Sequence, residues 1–243
     1  MNGLGKSIVE NAVFFMEFLL IVAGVVLIAY IYEAVVRKKN GGKERIMTTR
    51  KVTMIGMLSA IAGILMMIEF PLPFAPVFYK LDLSDLPALI GAFAFGPVAG
   101  VMIEFCKILV YLVFHGTGTA FVGDLANFVV GSSFILPASF IYLFKKSKKD
   151  ALIACVAGTV TMTVVGSWLN AVFLLPKYAQ MFGMPMDALV AMGTAVNPKI
   201  NGVGTFVMLA VVPFNLLKGA VVSIITMLIY KKISPLLKTG HTH

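Results

Sequence analysis

The chain has 243 residues, of which 59% are hydrophobic and only 13% are charged, with a mean hydropathy of +0.95. Average soluble domains carry about a quarter charged residues, so this composition excludes a soluble globular protein and indicates an integral membrane protein. The net charge of +9 does not indicate nucleic-acid binding. Lysines and arginines concentrate at 37–51, 145–149 and 231–238, next to apolar runs, and the positive-inside rule places these segments and the C-terminus in the cytoplasm.

The first apolar run, residues 13–36, predicts an additional N-terminal transmembrane helix whose N-terminus lies outside the cell. The run is too long for a signal peptide and ends in a basic cluster instead of a cleavage site with small residues. An alternative is that translation starts at Met47 and that the upstream segment is not part of the protein. We therefore divide the sequence into residues 1–46, with this helix and a basic linker, and residues 47–238, a membrane domain.

The number of core helices follows from the parity of membrane crossings. The basic segments at 37–51 and 145–150 are both cytoplasmic, so an even number of crossings separates them. The apolar stretch 87–114 is therefore divided into two helices at Gly96-Pro97, because proline is favoured at the start of a helix. The predicted fold class is all-α, a polytopic membrane bundle with a six-helix core plus the N-terminal helix. The predicted core helices are 52–70, 87–95, 97–114, 122–144, 151–175 and 203–230, and the external loops are 71–86, 115–121 and 176–202.

The segment 69–100 is the most informative part of the sequence. It contains five prolines, the charged residues Lys80, Asp82 and Asp85, and a Gly-Pro turn between apolar runs. Irregular charged backbone is tolerated beside membrane helices only outside the hydrocarbon or against a protein-lined cavity. The segment therefore predicts the wall of a binding site for a polar solute on the outer face.

Four ordered motifs carry a resemblance to a known family. They are FPLPF (70–74), KLDLSDLPALIGAFAFGPVAG (80–100), HGTGTAFVGDLANF (115–128) and LPASFIY (136–142). Together they resemble the riboflavin-binding S component of energy-coupling-factor (ECF) vitamin transporters, and the similarity extends over residues 50–235. The additional N-terminal helix departs from the family pattern.

The resemblance implies a substrate-binding subunit that captures riboflavin at the outer face of a prokaryotic plasma membrane for ATP-driven uptake. It implies as partners two ECF ATPase subunits and the ECF transmembrane coupling subunit, besides the lipid bilayer. Riboflavin is the transported ligand, and no cofactor, metal site or enzymatic activity is expected. External ATPases agree with the sequence, because its Gly5-Lys6-Ser7 triplet lacks the upstream glycine of a phosphate-binding loop.

Polar side chains at membrane depth are costly and are therefore candidates for function. Asn215 and Lys218, three residues apart, share one face of the last helix, which Pro213 loosens by freeing a backbone carbonyl. An asparagine amide can match the carbonyls and the N–H at the edge of a planar heterocycle. The alternative is that Lys218 neutralises a buried carboxylate such as Glu104.

The resemblance implies that Asn215 and Lys218 contact the flavin ring and that Asn170, on the preceding helix, is a third contact. By residue type alone, Asn170 is more typical of a hydrogen bond between helices. Further contacts are predicted from loops and helix ends, where apolar side chains cover the ring and polar ones meet the ribityl hydroxyls. These residues are Phe78, Leu81, Leu83, Asp82, Thr117, Thr119 and Asn127.

Other polar residues have a predicted structural role. Glu104 and Lys107 are predicted to form an ion pair within one helix. Asp124 is predicted to be a charge at the end of its helix. Ser84 and Asp85 are predicted to cap the helix that follows them.

Small residues four apart on the first core helix predict a surface for the close approach of another helix. The pairs are Gly56 with Ala60 and Ser59 with Gly63. Such pairs are common in internal packing, but in the resembled family small residues on this helix face the coupling subunit. The resemblance therefore implies a partner-docking surface there.

Three alternative functions have weaker support in the sequence. An intramembrane aspartyl protease needs two membrane aspartates, and only Asp124 lies near the membrane; a Ser-His protease needs a helix-borne histidine, whereas His115 lies in a loop. An S component for another vitamin, such as thiamin, biotin or folate, shares the fold, although the LDLSDLP and FNLLKG motifs favour riboflavin. The third alternative is a membrane protein that binds flavin without transporting it.

Overall fold

The structure of the protein is a computed structural model that describes residues 3–39, 46–144 and 146–239. The predicted basic linker at 40–45, Lys145 of the second basic cluster and the last two histidines lie outside the described residues. The described chain folds into helices joined by short connections, together with one pair of very short strands.

Helices account for nearly all the regular structure. In chain order they are α1 (Gly3–Glu10), α2 (Ala12–Lys39), α3 (Thr49–Met67), α4 (Asp85–Phe95), α5 (Pro97–His115), α6 (Val122–Phe144), α7 (Lys148–Leu169), α8 (Leu175–Met181), α9 (Met186–Val196), α10 (Val203–Phe206) and α11 (Val212–Thr239). π-Helical turns at Asn170–Leu174 and Val207–Val211 join α7 to α8 and α10 to α11. Strands β1 (Phe70–Pro71) and β2 (Lys80–Leu81) pair antiparallel within the predicted external loop, with Phe70 opposite Leu81.

Six helices of the described chain are long and apolar enough to cross a membrane. They are α2, α3, α5, α6, the continuous α7–α8 helix and the continuous α10–α11 helix. The predicted all-α membrane bundle is confirmed. The remaining core helix, α4, has 11 residues, which at 1.5 Å per residue is about 16 Å. That is about half of the ~30 Å hydrocarbon thickness.

The predicted division at Gly96-Pro97 is confirmed. α4 ends at Phe95 and α5 begins at Pro97. Gly96 has a φ of +95°, a conformation that residues with a Cβ rarely adopt. Proline fits the next position because the first N–H groups of a helix have no partner within the helix.

The prediction of an external loop at 176–202 is wrong in one respect, because most of this segment is helical. α8 extends the preceding helix, and α9 forms much of the rest. Leu189 of α9 and the following Ile200 are fully buried in a cluster with Phe206. A short helix with one apolar face is stable when that face packs on a neighbour, and α10 provides the neighbour.

α4 lies in the centre of the bundle, where it contacts α3, α5, α6 and α11. Ala88, Leu89 and Ala94 are buried on three different sides of it. The Phe93 ring stacks on Tyr142 of α6 with the ring centroids 4.3 Å apart. A helix that is apolar all round belongs in the interior of a bundle, and its first residue, Asp85, is carried into the interior with it.

The additional N-terminal helix, α2, packs against α5 and α6. Phe18 and Ala29 are buried on its inner face. Tyr32 stacks on Phe140 of α6 with the ring centroids 3.7 Å apart. α2 is therefore in contact with the core near both of its ends. The division of the chain into two parts after residue 46 stays a prediction.

A buried carboxylate, Glu33, joins α2 to two core helices. Its Oε1 accepts hydrogen bonds from Nζ of Lys51 at 2.8 Å and from Nη2 of Arg37 at 3.0 Å. Its Oε2 accepts a hydrogen bond from the backbone N–H of Val98, in the first turn of α5, at 3.1 Å. A negative charge is favourable at this end of a helix. Glu33 therefore caps α5 from another helix, and Gly96 leaves room for it, since a Cβ there would lie 2.8 Å from Oε2.

The two pairs of small residues on α3 face different ways. Gly56 and Ala60 are exposed, whereas Ser59 and Gly63 are buried. A Cβ at Gly63 would lie 2.5 Å from Cγ1 of Val110 on α5, so the glycine permits the close approach of these two helices. Ser59 and Gly63 therefore pack inside the domain, and a docking surface on this part of α3 is restricted to Gly56 and Ala60.

The same substitution is expected to have different effects at the two glycines of α3. Gly56→Ala is expected to leave stability unchanged or to raise it by up to ~1 kcal/mol, because alanine favours a helix and a Cβ there meets nothing within 4 Å. Gly63→Ala is expected to cost about 1–3 kcal/mol through overlap with Val110. Thermal unfolding of both variants in one detergent measures the difference. Equal melting temperatures would contradict the close contact of α3 with α5.

Candidate functional site

A cavity of about 780 Å³ lies between the external loop at 69–84, the ends of α5 and α6, the π turn and α8 that follow α7, and α11. Leu81 and Leu83 do not line it, because side chains alternate along this extended segment and those of Lys80 and Asp82 face the cavity. The other predicted contact residues all line the cavity, and they are Phe78, Asp82, Thr117, Thr119, Asn127, Asn170, Asn215 and Lys218.

Two asparagine amides meet at Gly166 of α7. Nδ2 of Asn170 donates a hydrogen bond to the carbonyl oxygen of Gly166 at 2.7 Å. The amide of Asn215, on α11, lies against the same glycine, where a Cβ would be 2.9 Å from its Nδ2. Both asparagines are buried and both line the cavity. The absence of a side chain at Gly166 therefore brings the amides of two helices together.

The amide of Asn215 is not used within the described part of the protein. It is 3% exposed, and no hydrogen bond joins it to another described residue. Oδ1 of Asn127, on the α6 wall, is likewise buried with no hydrogen-bond partner among the described residues. Buried polar atoms are nearly always hydrogen-bonded in proteins. These two amides are therefore available to bind a ligand in the cavity.

Both helices that carry the paired asparagines contain a π-helical turn. Pro176 follows the turn at Asn170–Leu174, and Pro213 follows the turn at Val207–Val211, each after one intervening residue. Proline has no N–H and clashes with the carbonyl four residues earlier, which the wider turn relieves. The predicted loosening of the helix before Pro213 is thus a π turn, a feature frequent at functional sites. Pro176 gives the same signal, which the sequence analysis did not use.

Two residues of the cavity wall, Asp82 and Lys218, belong to a cluster of five charged side chains, here called the ionic floor; the other members, which do not line the cavity, are Asp85, Glu104 and Lys107. All are buried. Nζ of Lys218 lies 3.1 Å from Oδ2 of Asp82 and 3.3 Å from Oδ2 of Asp85. Nζ of Lys107 lies 2.5 Å from Oδ1 of Asp85 and 2.7 Å from Oε2 of Glu104. Lys218 therefore does neutralise buried carboxylates, but these are the two aspartates and not Glu104.

Ser84 and Asp85 do not cap α4 in the predicted way. The Ser84 side chain makes no capping hydrogen bond, and its Oγ instead accepts one from Nζ of Lys107 at 2.9 Å. Oδ1 of Asp82 accepts a hydrogen bond from the backbone N–H of Ser84 at 2.8 Å. A buried ammonium group needs hydrogen-bond acceptors around it. The Ser84 hydroxyl therefore serves as an acceptor for Lys107 and does not cap α4. The predicted ion pair of Glu104 with Lys107 is confirmed. Lys107 also pairs with Asp85, the first residue of α4.

Thr117 and Thr119 line the cavity, and their hydroxyls also hold the loop that precedes α6. Oγ1 of Thr117 donates to Oδ2 of Asp124 at 2.9 Å and accepts from the N–H of Phe121 at 2.8 Å. Oγ1 of Thr119 accepts from the N–H of Gly123 at 2.9 Å. Phe121 has a φ of +68°, which costs of the order of 1 kcal/mol for a residue with a side chain. The threonine hydroxyls offset this cost.

The comparisons with known proteins agree with this architecture. A family profile described as "ECF transporter, substrate-specific component" matches residues 50–230. The chain belongs to this family. It is 38% identical over 190 residues to the riboflavin transporter RibU of Staphylococcus aureus (strain TCH60), which covers 78% of this chain and 93% of the relative. It is 34% identical over 201 residues to the riboflavin transporter FmnP of Bacillus subtilis (strain 168), which covers 81% of this chain and all of the relative.

A solved structure shows the same fold. The S component of a bacterial ECF transporter superposes on this chain with a TM-score of 0.61 and 36% identity, covering 79% of this chain and 99% of the other. The family match begins within α3, so the six-helix core of this substrate-specific component runs from α3 to α11 and α2 lies outside the match. The resemblance inferred from the four motifs is confirmed.

Several residues of the cavity wall of this substrate-specific component were not predicted from the sequence, among them Tyr79, Tyr178 and Phe214. Tyr79 has the contact with the most direct bearing on the site. Its ring lies 4.7 Å from that of Phe78, 5.4 Å from Phe214 and 6.3 Å from Phe206, measured between centroids. Its hydroxyl donates a hydrogen bond to Oδ1 of Asn170 at 2.5 Å. The two residues are 91 positions apart, so no local spacing identifies the contact. The only local signal is that Tyr79 follows Phe78 in a loop already predicted to line the site.

Proposed function

We propose that this substrate-specific component captures riboflavin at the outer face of a prokaryotic plasma membrane, as the binding subunit of an ATP-driven ECF importer. The observation that carries the proposal is the buried Asn215 amide, which lines the cavity with Lys218 and has no hydrogen-bond partner among the described residues. An amide offers a donor and an acceptor, which suits the carbonyls and N–H at the edge of a flavin ring. The relatives named as riboflavin transporters support the same substrate.

The volume and the lining of the cavity support a planar aromatic ligand. Its volume of about 780 Å³ lies within the range of small-molecule sites. Phe78, Tyr178 and Phe214 line it, and aromatic rings favour stacked or edge contacts with another ring. Thr117 and Thr119 contribute hydroxyl oxygens to another part of the wall, where they can accept hydrogen bonds from the ribityl chain.

ATP-driven uptake requires subunits outside this chain. The family implies two ECF ATPase subunits and the ECF transmembrane coupling subunit as partners. Gly56 and Ala60, exposed on α3, are the proposed docking surface for the coupling subunit, since small residues permit close helix contact in a membrane. The positive-inside rule places the C-terminus in the cytoplasm. Riboflavin is bound as cargo and is not altered, so we assign neither an enzymatic activity nor a cofactor.

Removal of the proposed ring contacts is expected to weaken riboflavin binding strongly. Asn215→Ala and Lys218→Ala are each expected to raise the Kd about tenfold or more, since a lost hydrogen bond in a buried site costs about 1–3 kcal/mol. Asn197→Ala and Lys199→Ala, in the external segment after α9 and away from the cavity, are matched controls expected to bind like the wild type. The measurement is quenching of riboflavin fluorescence on titration with detergent-purified protein.

Two outcomes would change these conclusions. Equal and small effects in all four variants, each with an unchanged melting temperature, would show that the site lies elsewhere. A wild-type protein that leaves riboflavin fluorescence unchanged, after any bound ligand has been washed out, would contradict flavin as the substrate. The fold would still stand, and thiamin would be the next vitamin to titrate.

A further inference from the structure

We propose that Tyr79 is a positioning residue of the binding site, because its hydroxyl fixes the orientation of the Asn170 amide. The amide oxygen and the amide nitrogen then each have a fixed position from which they accept from and donate to the ligand. The inference rests on the proposed function, because it concerns the same cavity and the same ligand. The ring of Tyr79 is part of the apolar wall of the cavity, and its hydroxyl acts on the ligand indirectly, by orienting Asn170.

The contacts of Asn170 leave half of its hydrogen-bonding capacity for the cavity. Oδ1 accepts from the hydroxyl of Tyr79 at 2.5 Å, and Nδ2 donates to the carbonyl oxygen of Gly166 at 2.7 Å. A side-chain amide has two acceptor positions on its oxygen and two hydrogens on its nitrogen. One acceptor position and one hydrogen therefore remain on a residue that is 4% exposed and lines the cavity.

Only one of the two orientations of the amide satisfies both neighbours. The carbonyl of Gly166 can only accept, so it requires Nδ2 of Asn170. Oδ1 is then directed at Tyr79, whose hydroxyl donates to it. Rotation of the amide by half a turn would place two carbonyl oxygens against each other at hydrogen-bonding distance, and a buried acceptor without a donor is unfavourable. The tyrosine hydroxyl and the glycine carbonyl together select one orientation.

The ring of Tyr79 is held in place independently of its hydroxyl. It packs in the cluster with Phe78, Phe206 and Phe214, and its backbone N–H donates to the carbonyl oxygen of Pro76 at 2.8 Å. The adjoining strand β2 pairs with β1. A phenylalanine at this position therefore keeps the same packing, and Tyr79→Phe removes the hydrogen bond without removing the wall.

The hydroxyl of Tyr79 stays a donor over the working pH range. Burial, and to a smaller extent the neighbouring Tyr178, hold the pKa of the Tyr79 phenol well above its ordinary value. The protonated form is therefore the one present at neutral pH. The contact with Asn170 does not depend on a charge.

A double-mutant cycle on riboflavin affinity tests this role. The Kd is measured by flavin fluorescence quenching for the wild type, Tyr79→Phe, Asn170→Ala and the double variant. Tyr79→Phe is expected to raise the Kd roughly fivefold or more in the wild-type background and to have no further effect in the Asn170→Ala background. Tyr32→Phe is the control, because it removes a hydrogen-bonded tyrosine hydroxyl from α2, outside the cavity, and is expected to leave the Kd unchanged.

The outcomes separate the proposal from the function on which it rests. An unchanged Kd in Tyr79→Phe, or the same loss of affinity with and without the Asn170 amide, overturns the positioning role. A wild-type chain that does not bind riboflavin overturns the proposed function, and with it the role toward that ligand. The hydrogen bond between Tyr79 and Asn170 can still be tested without ligand, by measuring the melting temperatures of the same four proteins. Tyr79→Phe is expected to lower the Tm in the wild-type background but not in the Asn170→Ala background. Equal losses of Tm in both backgrounds would contradict the hydrogen bond.

Discussion

Replacement of Lys107 by methionine is expected to destabilise the protein by about 3–5 kcal/mol, the cost of breaking a buried ion pair from one side. Lys107 is fully buried, and its ammonium group contacts Asp85, Glu104 and Ser84 at 2.5, 2.7 and 2.9 Å. Methionine has a similar length, but it leaves Glu104 without its cation and Asp85 with only Lys218. The measurements are the melting temperature in detergent and the yield of monodisperse protein.

A control and a rescue variant make this test specific. Lys199→Met replaces an exposed lysine of the external segment and is expected to melt like the wild type. Adding Glu104→Gln to Lys107→Met is expected to recover part of the loss, because it removes a buried negative charge at nearly constant volume. If Lys107→Met melts like Lys199→Met, the contacts of Lys107 with Asp85 and Glu104 do not stabilise the protein. That result would contradict the structure of the ionic floor described above.

Glu33→Ala is expected to have an effect of similar size, about 3–5 kcal/mol, although it lies outside the family match. Lys51, whose side chain is 4% exposed, would lose its counter-ion, and Arg37 would lose a partner. The N–H of Val98 would also lose its acceptor, an additional cost of about 1 kcal/mol for a missing helix cap. The melting temperature of the purified variant measures the combined loss of the ion pairs and the helix cap.

Glu17→Ala is the matched control for this prediction, since Glu17 is an exposed glutamate on the same helix. It is expected to melt like the wild type. A chain that begins at Met47 is expected to melt no higher than Glu33→Ala, because it lacks the carboxylate and also the packing of Phe18 and Ala29. Equal melting temperatures for Glu33→Ala and Glu17→Ala would show that the hydrogen bonds and ion pairs of Glu33 add nothing to the stability of the core.

The outline of the fold follows from signals that act locally. Basic clusters fix which side of the membrane a loop occupies, and Gly96-Pro97 interrupts a helix whatever surrounds it. α9 escaped prediction because a helix of 11 residues lacks the length by which spanning segments are recognised. Its apolar face is stabilised by Phe206 and Ile200, which approach it only after the chain has folded.

Eight of the ten residues predicted to bind the substrate line the cavity, but the partners of these residues could not be predicted. Asn215 and Lys218 stand out because polar side chains are rare in apolar helices. The pairing of Lys218 with Asp82, 136 positions earlier, depends on how α11 packs against the external loop. Likewise the contact of Tyr79 with Asn170, 91 positions away, is created by tertiary packing alone.

The two glutamates of α2 show the same limit. Glu17 and Glu33 interrupt one apolar run and are equivalent in any hydropathy profile. One is exposed and the other is fully buried. The difference comes from Lys51 and Val98, which meet Glu33 only because α2 lies against the starts of α3 and α5.

The short length of α4 has a consequence for the path of the cargo. Its first residue, Asp85, pairs with Lys107, which lies about 15 Å along α5 from Pro97 at 1.5 Å per residue. On the proposed function, a solute that contacts Asp82 and Lys218 lies at about the level of the middle of α5. On the side away from the predicted external loop, the site is followed by α4, which is about 16 Å long. Because α4 is buried among α3, α5, α6 and α11, we expect release of the cargo to the cytoplasm to require movement of these helices, the step for which the ATP-driven partners are proposed.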